Sequence, residues 1–471
     1  MSTRGSGDAA SGTWSGTGHG SGAFPDARRA VPRVDTVLAD PRLAEPLARL
    51  GRGVVKAAVR EVLASVRTGG RPPGAAVEAV LSVLPTRASS LRPVLNATGV
   101  VVHTNLGRAP WSAAAVEAAT AAAGTVDVEL DLGTGRRSRR GAGALDALLA
   151  AVPEAEAALV VNNGAAALLL ATTALAAGRE VVVSRGQLVE IGDGFRLPEL
   201  VSTTGTRLRE VGTTNRTTLA DYADAVGPDT GCVLVVHPSN FRVEGFTSTV
   251  PVRHLTGLGV PVVHDVGSGL LRPHPLLPDE PGVATALADG AAVVTCSGDK
   301  LPGGPQAGLA LGRADVVERM RGHPLARALR VDKTTLAALE ATLRGPRSPV
   351  QEHLESDAAE LRRRCLALVV GLPAGADAEV VPVEGVVGGG GAPGLRLPGY
   401  AVSLPERSAA ALRRGRPPVL ARTSGGRCLV DPRCVPPERD TDLAAAVTTA
   451  LLVSTGKAAG GAAGPPAGPT R

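Results

Sequence analysis

Five short apolar runs, at residues 158–161, 180–183, 232–236, 260–264 and 291–295, recur at helix-sized intervals along this 471-residue chain and limit what it can fold into. They are rich in valine and near-continuous rather than alternating, the pattern of strands covered on both faces. The Ala/Leu-rich stretches between them supply the covering helices, so the middle of the chain reads as an α/β domain around a mostly parallel sheet. Beyond Leu336 a helical spacing (Leu336, Leu339, Leu343, then Leu354, Leu361, Leu366) leads to a second region. There residues 380–383, 400–404, 419–421 and 428–430 read as short strands and 442–453 as a final helix, a smaller α+β domain.

At the amino end, Leu43, Leu47 and Leu50 followed by Val55, Val59 and Val62 predict two short helices with a bend at Gly51 and Gly53. The predicted organisation is a disordered Gly/Ser-rich tail at 1–30, a helical domain at 31–92, a large domain at 93–335, a small one at 336–457 and a disordered Gly/Pro-rich tail at 458–471. No internal repeat is evident. No run of about eighteen apolar residues and no basic-then-apolar leader occurs, so the cytoplasm is the expected compartment. Five cysteines, an odd number without a C-x-x-C pair, point to reduced core thiols rather than disulfides or zinc, and no metal site is expected.

Charge is uneven. Residues 31–100 hold ten Arg/Lys against five Asp/Glu, and Lys56, Arg60 and Arg67 fall on one side of the second predicted helix. Such a concentration suits a surface that meets phosphate backbones; a solvated basic face is the alternative.

Lysine is rare here: only Lys56, Lys300, Lys333 and Lys457 stand among 50 basic residues. Lys300 ends an apolar run and opens a glycine-rich turn, Ser297-Gly298-Asp299-Lys300-Leu301-Pro302-Gly303-Gly304. A lysine amine, unlike a guanidinium, can be neutralised by burial and attack a carbonyl, so this setting suits a Schiff base; a lysine reaching from a strand end to solvent is the bland reading. One step earlier, His264-Asp265-Val266-Gly267 puts a carboxylate at another strand end, where it can keep a cofactor's ring nitrogen protonated or simply cap a helix. An Asp and a Lys at the carboxyl edge of successive strands resemble the arrangement of fold-type-I pyridoxal-phosphate enzymes.

Asn162-Asn163-Gly164-Ala165, running from a strand into a helix, offers backbone amides to a phosphate, and Asn163, Gly164, Ala165 and Ser297 are the candidate cofactor contacts beside Asp265 and Lys300. No G-x-x-x-x-G-K-[ST] loop is present. Residues 388–391 read as a flexible turn. Arg327 and Arg330, three apart on a predicted helix, can converge on one oxyanion or make surface ion pairs, and Arg108 follows a glycine turn. Arg136, Arg137, Arg139 and Arg140 form an exposed cluster open to RNA phosphates.

Several stretches together are far more specific: Leu91 to Gly99 and on to Gly107-Arg108-Ala109-Pro110; Ser184-Arg185-Gly186 to Phe195-Arg196; His237-Pro238-Ser239-Asn240-Phe241; Ser297-Gly298-Asp299-Lys300; and Arg327 to Lys333. Over residues 31–457 the chain resembles bacterial selenocysteine synthases, the L-seryl-tRNA(Sec) selenium transferases. The resemblance implies a fold-type-I enzyme that uses pyridoxal 5'-phosphate and selenophosphate to turn L-seryl-tRNA(Sec) into L-selenocysteyl-tRNA(Sec) by way of an aminoacrylyl form. It implies Lys300 as the cofactor's lysine, Asp299 as its catalytic neighbour, Asp265 at the ring, and Arg108, Arg327 and Arg330 on the selenium donor. It also implies a homo-oligomeric ring of dimers whose amino-terminal domain grips the tRNA. Gln187 and Gly194 depart from the family pattern, which has glutamate and serine there. A β-lyase or aldolase acting on a free amino acid, and a non-catalytic RNA-binding relative, are the competing readings.

Overall fold

The computed structural model describes residues 31–68, 70–192 and 194–454, so the tails at 1–30 and 458–471 lie outside the described residues. The chain divides into two compact units between Arg92 and Pro93. In the first, helices Val34–Leu38, Ala44–Leu50, Arg52–Arg67 and Ala76–Val83 enclose Leu43, Val55, Val59, Leu63 and Val80. The stretch 34–67 thus holds three helices rather than two, because Asp40 and Pro41 break the first run: the Asp40 carboxylate caps a short 3-10 turn. Gly51, at φ +79°, makes the sharp turn between the second helix and the third. Burial of Val55, Val59, Val62 and Val66 leaves Arg60 and Arg67 on the exposed side and Lys56 half-buried.

The second unit carries two large sheets. Its strands run, in chain order, β1 (Leu95–Ala97), β2 (Val100–Val102), β3 (Ala157–Val161), β4 (Glu180–Ser184), β5 (Glu190–Ile191), β6 (Phe195–Arg196), β7 (Arg207–Val211) and β8 (Thr230–Val236). They continue as β9 (Val262–Gly267), β10 (Val293–Ser297), β11 (Gly308–Gly312), β12 (Glu379–Gly388), β13 (Leu397–Pro405), β14 (Val419–Ser424) and β15 (Arg427–Val430). The larger sheet has the order β3-β11-β10-β9-β8-β4-β7, parallel except for β11. All five apolar runs are strands of it.

The two strands without a matching run have physical reasons to escape notice. β7 is a largely polar edge strand, and β11, Gly-Leu-Ala-Leu-Gly, has little β-branching. One face of the sheet is covered by helix Gly164–Ala176 through Leu168, Leu170 and Leu175, and the other by helices Ala142–Ala151 and Lys333–Arg344 through Leu145, Leu148, Leu336 and Leu339.

The six-stranded sheet has the order β1-β14-β15-β13-β12-β2. Residues 95–102, grouped by sequence with the large domain, therefore pair with the carboxyl-terminal strands, and the boundary drawn at 335/336 falls inside helix Lys333–Arg344. β2 and β12 run parallel, Gly388 opposite Val102, so the loop carrying Arg108 and the glycine turn 388–391 leave this sheet side by side. All five cysteines are buried and unpaired. Among the described residues no helix is long and apolar enough to cross a membrane.

Gly308 shows how tightly the edge of the large sheet is built: a Cβ there would run into the Asn163 carbonyl oxygen. Gly308→Ala is expected to cost about 1–3 kcal/mol in chemical denaturation, as an overpacked core position does. A variant as stable as the parent would show that β11 and the Asn163 turn are not in this close contact.

Candidate active site

Asp265 occupies the carboxyl end of β9 opposite Val236 of β8 and Thr295 of β10. Its Oδ1 accepts a 2.8 Å hydrogen bond from the Thr295 hydroxyl, and its carbonyl accepts one from the His237 N–H at 2.9 Å. The residue lies within the strand, which sets aside the helix-cap reading. Burial pushes its carboxyl above the ordinary carboxylate value, while the Thr295 hydroxyl and the charge of Lys300 pull it back.

Lys300 follows β10 and is half-buried. Its Nζ lies 3.9 Å from where a Cβ on Gly267 would stand and 3.0 Å from where one on Gly390 would stand, with the Ser239 hydroxyl beside both positions. The amine therefore sits between the end of β9 and the glycine turn, and among the described residues it makes no ion pair. It does not reach out to solvent as a strand-end lysine would. Burial lowers its pKa from the ordinary lysine value; Asp265 opposes the shift and Arg108 adds to it.

Asp299, also buried, takes a 2.8 Å ion pair from Arg108 Nη1 on its Oδ2, and its Oδ1 has no partner. Arg108 is held at φ +67°, a strained setting for a residue with a side chain, with its N–H on the His103 carbonyl. The Ala109 N–H donates to the Asp299 carbonyl at 3.3 Å, which fastens this loop to the lysine turn.

The third corner is the turn after β3. Asn163 caps helix Gly164–Ala176, its Oδ1 accepting from the Ala166 N–H at 2.8 Å, and its carbonyl accepts from the Ala167 N–H. The Gly164 and Ala165 amides are left without intrahelical partners, and the Ser297 hydroxyl occupies the space a Cβ on Gly164 would fill. Asp265, Asn163, Gly164, Ala165, Ser297, Asp299, Lys300 and Arg108 are thus gathered at the carboxyl ends of the strands.

Arg327 and Arg330 are not brought to them by any hydrogen bond or ion pair among the described residues. The helix expected to carry both ends at Ala328. The Leu329 carbonyl is taken by the Asn162 N–H, and Arg330 drops into a bridge with Val161. Arg330 there shares Glu129 with Arg137 and Arg140, at 2.6, 2.9 and 3.1 Å. Arg139 only approaches Glu318, at 4.0 Å, so Arg137 and Arg140 are the members of this cluster committed to a carboxylate.

Sequence reasoning missed the wall of the site. Gly390, in the stretch 388–391 taken for a flexible turn, lies against Lys300, and a buried glutamate holds the residue just beyond the turn: Glu280 Oε2 accepts from the Ala392 N–H at 2.7 Å and lies 3.3 Å from His237 Nε2. An isolated glutamate in a proline-rich loop gave no signal. The departures at 187 and 194 are accommodated: the Gln187 Oε1 accepts from the Val236 N–H at 3.1 Å, needing no charge, and Gly194 is exposed at φ +74° beside the β5–β6 hairpin.

A buried amine whose pKa is lowered, a carboxylate on the neighbouring strand and free amides at a helix end together suit a group with a carbonyl, a basic ring nitrogen and a phosphate. The residues fit pyridoxal phosphate, and the fold is that of the fold-type-I enzymes that use it. The solved structure of a D-glucosaminate-6-phosphate ammonia-lyase matches 78% of this chain and 97% of its own with a TM-score of 0.56; at 19% identity this bears on the fold alone.

Residues 94–436 match the family described as L-seryl-tRNA selenium transferase, and residues 28–67 the one described as selenocysteine synthase N terminal. The L-seryl-tRNA(Sec) selenium transferase of Moorella thermoacetica is 46% identical over 90% of this chain and 97% of its own. That of Carboxydothermus hydrogenoformans is 42% identical over 86% and 94%, and that of Rhizobium meliloti 41% over 88% and 96%. The chain belongs to the L-seryl-tRNA(Sec) selenium transferase family, a family of pyridoxal-phosphate enzymes.

Two outcomes follow. Because burial favours the neutral amine, Lys300 in the cofactor-free protein is expected to react with acetic anhydride with a half-point below the ordinary lysine pKa of 10.5. Asp265 favours the ammonium, so Asp265→Asn lowers the half-point further; mass spectrometry of the acetylated peptide against pH decides, and an unchanged or raised half-point would contradict the arrangement. Glu280→Ala, which strips the Ala392 N–H of its acceptor, is expected to cost about 1–3 kcal/mol in urea unfolding, and Glu280→Gln clearly less. Equal losses would mean the carboxylate's charge, not its acceptor, matters.

Proposed function

We propose that the Lys300 site carries out the family reaction, L-seryl-tRNA(Sec) to L-selenocysteyl-tRNA(Sec) with selenophosphate as donor, and that the residues divide the work as follows. Pyridoxal phosphate, when bound, supplies an electron sink for negative charge at the seryl α-carbon. Lys300 would bind it covalently, and the same amine, once released, is the base that moves the α-proton. Asp265 holds a proton at the ring nitrogen, and the Gly164 and Ala165 amides with the Ser297 hydroxyl receive the phosphate.

Asp299 sits beside the lysine with one carboxylate oxygen free, positioned by Arg108 to assist departure of the β-hydroxyl. Arg108, Arg327 and Arg330 would bind the donor, since guanidinium forks match its phosphate oxygens. Arg108 and Arg330 each hold a carboxylate in the single chain, and the anion has to compete with Asp299 and Glu129 for them.

The helical unit before residue 93 is read as the tRNA-gripping element. Lys56, Arg60 and Arg67 make no ion pair among the described residues, and such a face meets RNA by shape and backbone. The assembly is proposed as a cytoplasmic ring of dimers, on family resemblance. The observation that carries the reading is the Lys300 amine held between the end of β9 and the glycine turn, with Asp265 on the neighbouring strand, in a chain of this family.

The test is reconstitution: protein, pyridoxal phosphate, seryl-tRNA(Sec) and selenophosphate, with free serine and seryl-tRNA(Ser) as controls. Selenocysteyl-tRNA is expected from the first mixture only, and Lys300→Ala is expected to lower the rate by at least roughly a thousand-fold. Equal turnover of free serine would favour a β-lyase instead.

A further inference from the structure

We infer that a cavity beside Lys300, walled by His237, Phe241, Arg242, Leu276 and Arg396, receives the 3'-terminal nucleoside of the RNA that carries the seryl ester. The inference rests on the seryl-transfer reading of the Lys300 site. An amino acid esterified to a ribose brings that ribose within a few bonds of the reacting carbon, so a subsite for the nucleoside has to open next to the lysine.

This cavity does. The segment that lines it from Ala392 to Arg396 begins two residues after Gly390, which faces the Lys300 amine. The turn that presents the Ser239 hydroxyl next to the amine presents Phe241 to the cavity two residues later. Glu280, bonded to the Ala392 N–H, is part of the lining and holds the segment that starts there. The volume, about 630 Å³, falls in the usual range for small-ligand pockets.

Its chemistry suits a single-stranded RNA end. Aromatic residues make up only 2% of the chain, yet Phe241 stands 38% exposed at the cavity, which Val243 and Leu276 also line. Unpaired bases at RNA ends are held by stacking on such rings and on guanidinium planes. Arg242 and Arg396 supply the charge. Their nearest carboxylates, on Glu244 and Glu384, are each 3.9 Å away, beyond hydrogen-bond length, so the guanidinium donors remain available to backbone phosphates. Arg242 lies across Gly394, where a Cβ would meet its Nη1 at 2.6 Å.

The test compares Phe241→Ala, Phe241→Trp and Arg242→Ala with the parent holoenzyme, using seryl-tRNA(Sec) as substrate and 3'-seryl-amido-3'-deoxyadenosine as competitor. In Phe241→Ala, KM for seryl-tRNA(Sec) and the inhibition constant of the competitor are expected to rise roughly ten-fold, with the cofactor's absorption spectrum unchanged. Phe241→Trp is expected to retain both constants, and Arg242→Ala to weaken the dependence of KM on salt. Unchanged constants in Phe241→Ala, a fall in kcat alone, or a change in the mass of the assembly, which would make this face a subunit contact, each overturn the inference. Failure of the parent enzyme to turn over seryl-tRNA(Sec) at all would instead overturn the underlying reading.

Discussion

A carboxylate and an amine, both withdrawn from water at the carboxyl edge of one parallel sheet, are the constraint around which this structure is arranged. Neither charge is comfortable there: burial raises the Asp265 carboxyl and lowers the Lys300 amine, and each partly relieves the other. What keeps them together is register. Thr295 stands opposite Asp265 on β10 and Val236 opposite it on β8, so a slip of one residue would turn the carboxylate to the other face of the sheet and strand it. Hydrophobic packing on both faces, by Val182, Val233 and Val294 on one and Val181, Leu234 and Val293 on the other, holds that register.

The parts of the fold visible in the sequence are those that this packing dictates. The five valine-rich strands announced themselves because both of their faces are buried, and Lys300 stood out because the chain otherwise writes arginine. β7 and β11 were silent for opposite reasons, one being polar at an edge and the other built of glycine, alanine and leucine. Arg330 was read onto a helix because its spacing from Arg327 fits one turn. The structure ends that helix two residues earlier through a tertiary hydrogen bond between the Leu329 carbonyl and the Asn162 N–H, which no local pattern encodes.

The glycine turn at 388–391 is a harder lesson. Its sequence resembles a linker, and its role is visible only once β12 is seen beside β2. That pairing delivers the turn and the Arg108 loop to the same edge, on either side of the lysine segment. A run of glycines is permissive alone, but here the neighbours remove the freedom. Val102 crowds Gly388 and Gly389, Lys300 crowds Gly390, and Glu280 holds the next residue but one. Small size, rather than flexibility, is what the positions require.

The same logic explains why residues distant in sequence have to be read together at this site. Arg108 bears a strained backbone at φ +67°, a cost that persists only where surroundings over-determine it. Those surroundings are the Asp299 carboxylate taking its guanidinium and the Asp299 carbonyl taking the next N–H, 191 positions along the chain. A guanidinium fixed on one oxygen of a buried carboxylate leaves the other oxygen, Oδ1, without a partner, and an unsatisfied buried acceptor is expensive unless something in the reaction uses it. The two local penalties, a strained arginine and a bare carboxylate oxygen, meet within one residue of Lys300. Penalties of this kind accepted beside the lysine are what a site built for chemistry rather than for stability looks like.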